Sequence, residues 1–225
     1  MTRVGDFELY RQYETVNVYH RGRGAKVELN RPDRLNAWSI QFALDLLAAI
    51  KEVTDNPEVR AVVVTGAGRA FSSGADLKEA AERPDGQTMD VYRRLTERYH
   101  PIITGLRLMP KPVIAAVNGP AAGIGLSLAL ACDLVVATQS AFFQLAFVNI
   151  GLVPDGGSSL FVPARVGFTR AAELAMLGER LDAATALSWV VRQVSFDRRR
   201  SPTARVSPGN SSVKPVVGVT MVGES

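Results

Sequence analysis

The sequence has 225 residues, of which 47% are apolar and 21% charged, and its formal net charge is +4. This suits one large domain, or a domain with a small appendage, and no stretch approaches the ~18 apolar residues that a membrane helix needs. From Arg192 onward, six basic residues stand against two acidic ones and account for the whole net charge. Residues 1–191 are therefore neutral, which argues against a nucleic-acid-binding protein. The single cysteine, Cys132, excludes an internal disulfide, and the N-terminus lacks the apolar core of a signal peptide, so we expect a cytoplasmic protein.

Strand and helix patterns alternate in the first half of the chain. Residues 13–20 and 25–29 are predicted strands joined by a hairpin turn. Ser39 is a candidate cap for a helix that runs to about Val53, with apolar residues at helical spacing. The next predicted elements are a strand at 59–65, a short helix at 77–81, and a longer helix at 88–109 with an interruption at Pro101.

The second half continues the alternation. Its predicted strands are 112–117, 134–137 and 142–147, and its predicted helices are 126–132, 168–177 and 182–189. Periodicity alone therefore predicts an α/β fold with a mostly parallel sheet.

Two strand–glycine–helix units carry the main chemical signal. Residues 112–117 form a buried-strand pattern, and small residues at 121–125 lead from it into a helix. The first amides of a helix lack internal partners and, with the helix dipole, stabilise an oxygen that becomes negative. A second unit runs from strand 62–66 to residues 70–77. Glycine used only for packing explains either unit alone, whereas the pair predicts two amides aimed at one point, an oxyanion hole.

Three motifs resemble those of the crotonase superfamily, the enoyl-CoA hydratases and isomerases. Residues 71–77 (FSSGADL) resemble its first signature, residues 111–119 with the following glycines resemble the second, and residues 29–37 (LNRPDRLNA) resemble the early motif on the coenzyme A side. The resemblance extends from about residue 14 to about residue 189. It implies an α/β fold of the crotonase type, in which strand–strand–helix units stack into a spiral.

This resemblance also implies a site. An acyl-CoA thioester would place its carbonyl oxygen between two backbone amides at the positions of Ala75 and Ile124. No separate cofactor is implied, because coenzyme A is part of the substrate, and family members assemble as trimers. The positions that match the coenzyme A and substrate region are Arg34, Leu35, Ala37, Gly74, Asp76, Leu77 and Gly123.

The chain departs from the family pattern where the reaction is decided. Hydratases add water with two glutamates, and the corresponding positions here hold Ser127 and, in the predicted strand 142–147, Phe147. Neither side chain transfers a proton as a carboxylate does, and Ser127 is expected to bond to the helix backbone. Hydration by the two-glutamate route is therefore not expected.

Asp155 is the carboxylate that remains in the matching region, within the stretch GLVPDGG. In isomerase-type relatives an acid at this position moves a proton between carbons of a β,γ-unsaturated acyl-CoA, so a double-bond shift is the favoured reaction. Gly156 and Gly157 are expected to leave room for a ligand. The structural alternative is that Asp155 only caps the helix that starts near Ser158.

Other functions remain open. A rarer relative uses an aspartate here as a nucleophile with a histidine base, for which His100 is the candidate. A crotonase-fold protein that binds acyl-CoA without turnover is a further alternative. A nicotinamide-binding fold is disfavoured, because Gly66-Ala67-Gly68 is followed by Phe71 where the fingerprint requires glycine.

The C-terminal region does not follow the family. Beyond Phe196 the sequence is rich in Ser, Pro, Gly, Val and Arg and lacks helical periodicity. We therefore divide the chain into a crotonase-like core, residues 1–189, and an atypical tail, residues 190–225, that is expected to pack poorly and to weaken trimer formation. A frameshift or truncation, or a divergent tail, would explain the change of pattern.

Overall fold

The computed structural model describes residues 7–81, 90–189 and 219–222, and it confirms the α/β class. The strands are β1 (Glu8–Gln12), β2 (Val16–Arg21), β3 (Gly24–Leu29), β4 (Ala61–Gly66), β5 (Val113–Val117), β6 (Ala121–Ala122), β7 (Leu134–Thr138), β8 (Phe142–Gln144), β9 (Arg180–Asp182) and β10 (Val219–Val222). The α-helices are α1 (Ile40–Asp55), α2 (Leu77–Ala81), α3 (Val91–Arg94), α4 (His100–Leu108), α5 (Ile124–Ala131), α6 (Ser158–Val166), α7 (Phe168–Leu177) and α8 (Ala183–Trp189).

The larger sheet has the order β1-β2-β3-β4-β5-β7-β10. β1, β2 and β3 pair antiparallel, whereas β3, β4, β5, β7 and β10 pair parallel in sequence. The smaller sheet has the order β6-β8-β9. Because neighbouring parallel strands end on the same side, the loops that follow β3, β4 and β5 meet at one edge of the larger sheet.

The core lies between the larger sheet and its helices. Alternate residues of β3 and β4 are buried, and α1 adds a buried face that includes Phe42 and Leu46. Ser39 caps α1 as predicted, since its Oγ accepts a hydrogen bond from the Phe42 amide at 3.1 Å. All eight residues of α5 are buried, so this helix runs through the interior. Among the described helices, none combines the length and the apolar character needed to cross a bilayer.

Several elements differ from the sequence-based prediction, and the short strands β6, β9 and β10 have no predicted counterpart. β1 was not predicted, because all five of its residues are exposed and show no apolar alternation. The helix predicted at 88–109 is divided into α3, a π-helical turn (Leu95–Tyr99) and α4, with Pro101 in the first turn of α4 where its missing N–H costs least. The strand predicted at 142–147 ends at Gln144, and Phe147 instead precedes a 3₁₀ turn, Val148–Ile150.

Most of the atypical tail, residues 190–218 and 223–225, lies outside the described residues. Its remaining four residues form β10, which extends the sheet beside β7 with Val219 opposite Val135. The division at residue 189 and the effect of the tail on assembly therefore stay predictions.

Candidate functional site

Three loops join at the carboxyl ends of the parallel strands. The Ser73 amide donates to Leu35 O at 2.9 Å, and the amides of Phe71 and Ser72 donate to Pro120 O at 3.1 and 3.0 Å. Short parallel bridges, Trp38 with Ala75 and Ser72 with Ala121, continue this pairing. The three sequence motifs, which are far apart in the chain, thus form one continuous backbone layer.

Glycine allows two of these loops to touch. Gly74 has φ +94°, and a Cβ there would lie 2.9 Å from Ala122 O. Gly123 has φ +52°, and a Cβ there would lie 3.9 Å from Gly74 Cα, an ordinary van der Waals contact. A side chain at Gly74 would push the two loops apart, whereas one at Gly123 would only strain the left-handed backbone. Gly74 therefore lets the loops that carry the two predicted oxyanion donors touch.

The backbone N–H groups of Ala75 and Ile124 are both available to donate a hydrogen bond to a ligand. Neither donates a hydrogen bond to any residue in the described part of the chain. Ile124 is the first residue of α5, where a helix leaves its amides unpaired and its dipole is positive. Both residues line the same cavity, as the sequence predicted for an oxyanion hole.

This cavity, which we call the central cavity, has a volume of about 240 Å³. Its walls are mostly apolar, and the charged side chains among them are Arg94 and Asp155. The lining residues are Ser73, Gly74, Ala75, Leu77, Val91, Arg94, Leu95, Tyr99, Gly123, Ile124, Ala146, Phe147, Asn149, Ile150, Leu152 and Asp155.

Asp155 has a fixed backbone and an unpaired side chain. Its carbonyl oxygen accepts hydrogen bonds from Ser127 Oγ at 3.0 Å, from the Ser158 amide at 3.0 Å and from Ser158 Oγ at 2.7 Å. Its Oδ1 is buried and has no hydrogen-bond partner among the described residues. Burial raises the pKa of Asp155 to about 6, and the positive charge of Arg94 opposes that rise.

The capping alternative for Asp155 does not hold. The residue that caps α6 is Gly157, and no side chain accepts a hydrogen bond there. The expectation that the neighbouring glycines leave room for a ligand is also wrong. A Cβ on Gly156 would lie 2.4 Å from Ile124 Cδ1, and one on Gly157 would lie 2.7 Å from the Phe161 ring. The protein's own atoms fill both spaces, and Gly156 lets the Asp155 loop pack directly on the start of α5.

The two positions of the hydratase glutamates are occupied by groups that do not transfer protons. Ser127 is fully buried, and its Oγ donates to the carbonyl oxygens of Asp155 and Gly123, as predicted for a backbone-bonded hydroxyl. Phe147 is 5% exposed and lines the central cavity. Within the described walls, Asp155 is thus the carboxylate of the central cavity.

The predicted coenzyme A residues divide into two groups. Gly74, Leu77 and Gly123 line the central cavity, whereas Arg34, Leu35, Ala37 and Asp76 do not. Arg34 is exposed at the end of a 3₁₀ turn, and Leu35 next to it has φ +51°.

Asp76 holds the loops together. Its Oδ2 accepts a hydrogen bond from Arg31 Nη1 at 3.1 Å, and its Oδ1 accepts one from the Glu79 amide at 3.3 Å. Burial alone would raise the pKa of Asp76, but the Glu79 amide and the Arg31 guanidinium together lower it below its ordinary value. In this structure Asp76 is an ionised residue paired within the protein.

Sequence reasoning missed several residues that shape the site. Asn36 is fully buried with φ +54°, and its Nδ2 donates to Ala67 O at 3.0 Å and Ala70 O at 2.8 Å. Asparagine tolerates the left-handed region better than most residues, so the Leu-Asn pair after a proline turn was a usable signal. Arg94 and Tyr99 reach the central cavity from a helix whose pattern does not indicate which face is functional.

His100, the candidate base of the nucleophilic alternative, is exposed on α4 and does not line the central cavity. The geometry therefore offers that alternative no histidine near Asp155 at this position.

Comparison with known proteins agrees with the three motifs. Residues 23–198 match the family Enoyl-CoA hydratase/isomerase. The chain is 37% identical over 198 residues to the 1,2-epoxyphenylacetyl-CoA isomerase of Escherichia coli (strain K12), which covers 88% of this chain and 76% of that protein. It is 36% identical over 195 residues to 4-chlorobenzoyl coenzyme A dehalogenase-2 of Arthrobacter sp, covering 84% of this chain and 71% of that protein.

A solved structure shows the same architecture. The crystal structure of an enoyl-CoA hydratase from Mycobacterium avium subsp. paratuberculosis K-10 matches with a TM-score of 0.71 and 40% identity, covering 80% of this chain and 70% of that chain. The resemblance found in the motifs is thereby confirmed, and the α/β fold is of the crotonase type. The chain belongs to the enoyl-CoA hydratase/isomerase family of the crotonase superfamily.

Proposed function

We propose that the protein is an acyl-CoA isomerase that moves a double bond from the 3,4 to the 2,3 position of an enoyl-CoA. The observation that carries this proposal is Asp155, the one carboxylate among the described walls of a mostly apolar cavity, whose buried Oδ1 has no partner there; two backbone amides without acceptors in the described chain line the same cavity. A double-bond shift needs one group that takes a proton and gives it back.

The amides of Ala75 and Ile124 would hold the thioester oxygen. When Asp155 removes a proton from C2, the electron pair of that C–H bond moves toward the carbonyl and the oxygen becomes an enolate. The two amides stabilise this charge, and removing one comparable donor costs on the order of 3 kcal/mol in other enzymes. The enolate then returns to a carbonyl, the C2=C3 bond forms, and the electron pair of the breaking C3=C4 π bond takes the proton from Asp155 at C4, which regenerates the carboxylate.

The environment of Asp155 suits this task. A proton carrier works best when its pKa is near the working pH, and burial raises the pKa of Asp155 to about 6. Near neutral pH the carboxylate is ionised, ready to accept a proton, yet basic enough to hold it briefly.

Hydration is disfavoured, since Ser127 and Phe147 occupy the positions of the water-activating glutamates. Nucleophilic displacement, suggested by the name of the Arthrobacter relative, is disfavoured because His100, the candidate base, does not line the central cavity. The Escherichia coli relative is also named as an isomerase of an acyl-CoA, although its named substrate is an epoxide and not an enoyl-CoA.

The proposed function also implies which molecules the protein binds. The substrate is an acyl-CoA thioester, and coenzyme A enters with the substrate, so no separate cofactor is required. The side chain of Arg34 would meet a coenzyme A phosphate at the surface. Trimeric assembly and a cytoplasmic location stay predictions.

A panel of acyl-CoA thioesters tests the proposal. The protein, incubated separately with 3-enoyl-CoA and 2-enoyl-CoA, should convert the first to the conjugated thioester, seen as a rise in ultraviolet absorbance, and should leave the second largely unhydrated. Rapid hydration of 2-enoyl-CoA without any double-bond shift would contradict the isomerase. Tight binding of both thioesters without turnover would instead indicate a non-catalytic acyl-CoA-binding protein.

A further inference from the structure

Two arginines converge on the carboxyl end of α5, the helix whose first amide belongs to the proposed oxyanion hole. Arg165 Nη2 donates to Leu130 O at 2.8 Å and to Cys132 O at 3.3 Å. Arg107 Nη1 donates to Ala131 O at 3.4 Å. These carbonyls belong to the last turn, whose oxygens find no N–H donors within the helix and carry the negative pole of its dipole.

The two arginines differ in how their charge is balanced. Arg107 lies 3.8 Å from Asp133 Oδ1. Arg165 is 5% exposed, and no carboxylate in the described part of the chain pairs with it. Its Nε is buried and has no partner among the same residues. Burial lowers the pKa of Arg165 to about 10, which leaves it protonated at neutral pH.

A buried and unpaired cation is costly, and apolar residues of similar volume often replace such charges without loss of stability. Helix capping alone does not require a full charge, because neutral donors such as amides also bond to carbonyls. We therefore expect the positive charge of Arg165 to have a role that a neutral donor would not fill.

α6 connects Arg165 to the reacting end of the site. The loop before α6 carries Asp155, whose carbonyl is bonded to Ser127 in the second turn of α5. The last turn of α6 carries Arg165, which is bonded to the end of α5. One segment thus attaches to α5 near the central cavity and again at its far end.

We propose that Arg165 is a positioning residue of the oxyanion hole, which fixes α5 from its carboxyl end and adds its uncompensated charge to the positive potential at the Ile124 amide. The inference rests on the proposed function, because the charge that it stabilises is the enolate oxygen. Arg165 touches no substrate, so its effect passes through the helix and through the interior of the protein.

The expected size follows from Coulomb's law. The eight residues of α5 span about 12 Å at 1.5 Å per residue. At that distance and an effective dielectric constant of about 20, a unit positive charge favours a unit negative charge by about tenfold in rate. The bound thioester is neutral before reaction, so this gain is confined to the transition state and should affect kcat rather than KM.

The test compares Arg165→Gln, which keeps donors but loses the charge, with Arg165→Lys, which keeps the charge. Arg107→Gln is the matched control, because it makes the same substitution at the same turn, where Asp133 lies near the arginine and balances its charge. Each variant is assayed for kcat and KM with 3-enoyl-CoA and for melting temperature. Carbonyl polarisation is measured as the red shift of bound 4-(dimethylamino)cinnamoyl-CoA.

We expect Arg165→Gln to lower kcat about tenfold with KM nearly unchanged and to reduce the red shift. Arg165→Lys should retain the red shift, and Arg107→Gln should change it less than Arg165→Gln does. Should Arg165→Gln fail to fold, the red shift in Arg165→Lys is followed from pH 7 to 9, where a desolvated lysine loses its charge and the shift should weaken.

An unchanged kcat and red shift in Arg165→Gln, with only a lower melting temperature, would show a helix cap and overturn the inference. So would a pH-independent shift in Arg165→Lys. If the wild type polarises the thioester but never isomerises 3-enoyl-CoA, the proposed reaction fails while the red-shift comparison still decides the role of Arg165. If the wild type produces no red shift, the oxyanion hole and this inference fail together.

Discussion

Asp76 and Asp155 each follow a glycine-containing turn beside the same pair of loops, yet their surroundings differ completely. Asp76 bonds to the Arg31 guanidinium and to the Glu79 amide, and its pKa is lowered. Asp155 has a buried oxygen with no partner in the described chain, and burial raises its pKa to about 6. Both residues are aspartates that follow a glycine-containing turn, but the groups that distant elements place around their side chains differ.

The difference shows how one fold assigns separate tasks to two carboxylates. A carboxylate with a cation and a helix-start amide stays ionised and holds loops together. A carboxylate that is desolvated without partners has a proton affinity useful near neutral pH. The following substitutions test this contrast between Asp76 and Asp155.

The largest effect is expected for turnover in Asp155→Asn. The substitution keeps the shape of the side chain and removes the group that carries the proton, which typically contributes ~10²–10⁴-fold. Turnover of 3-enoyl-CoA should fall by that factor while acyl-CoA affinity, measured by calorimetry, changes little. Ser127→Ala is the control and should retain most of the turnover, since Ser127 bonds only to backbone. Full activity in Asp155→Asn would remove Asp155 from the mechanism.

The same Asp155→Asn variant should be more stable than the wild type at high pH. The folded-state pKa of about 6 lies above the ordinary value of 3.8, so stability from this group is present below the unfolded pKa and is lost as the pH rises through the folded one. The gain in unfolding free energy should be about 1–3 kcal/mol at pH 8 and close to zero near pH 4. Denaturant melts at both pH values check this, and an equal gain at both would contradict it.

Asp76→Asn should show the opposite pH dependence. The pKa of Asp76 is lowered, so its contribution to stability is present above its unfolded pKa and is lost as the pH falls through the folded value. At pH 7 we expect a loss of about 1–2 kcal/mol, because the Arg31 contact is mostly buried. Denaturant melts measure the loss, and kcat should change less than in Asp155→Asn. A variant as inactive as Asp155→Asn would place Asp76 in the chemistry.

The smallest effect is expected for Arg94→Gln. The charge of Arg94 opposes the rise in the pKa of Asp155, so its removal should raise that pKa further. The acid limb of kcat/KM, which rises with pH through about 6 in the wild type, should move upward by a fraction of a pH unit. Arg93→Gln is the matched control, because its guanidinium is paired with Glu97 on the surface. Equal pH profiles of kcat/KM for Arg94→Gln and the wild type would exclude electrostatic coupling between Arg94 and Asp155.

The sequence was informative wherever the decisive interaction is local. The glycine turn at 74 could be predicted because a turn dictates its own neighbours, and the helix after the small residues 121–125 was predicted from 126, two residues after its observed start at Ile124. The capping of α1 by Ser39 follows from contacts within three residues.

The features that the sequence did not predict depend on contacts between distant segments. The Arg31–Asp76 ion pair joins residues 45 positions apart. The packing of Gly156 on Ile124 likewise places the protein's own atoms where space for a ligand was expected. β1 carries no apolar alternation, so only its pairing with β2 reveals it. Such pairings are properties of the assembled fold, and no local pattern in the sequence encodes them.

The protonation of Asp155 is the most direct test of the account. Carboxyl ¹³C NMR on the whole chain, with Asp155→Asn used to assign the resonance, follows its titration. The account predicts a resonance, absent in Asp155→Asn, that titrates near pH 6, while the Asp76 resonance titrates below its ordinary value. Titration of Asp155 at or below the ordinary aspartate value of 3.8 would show an ordinary ionised carboxylate and contradict its role as the proton carrier.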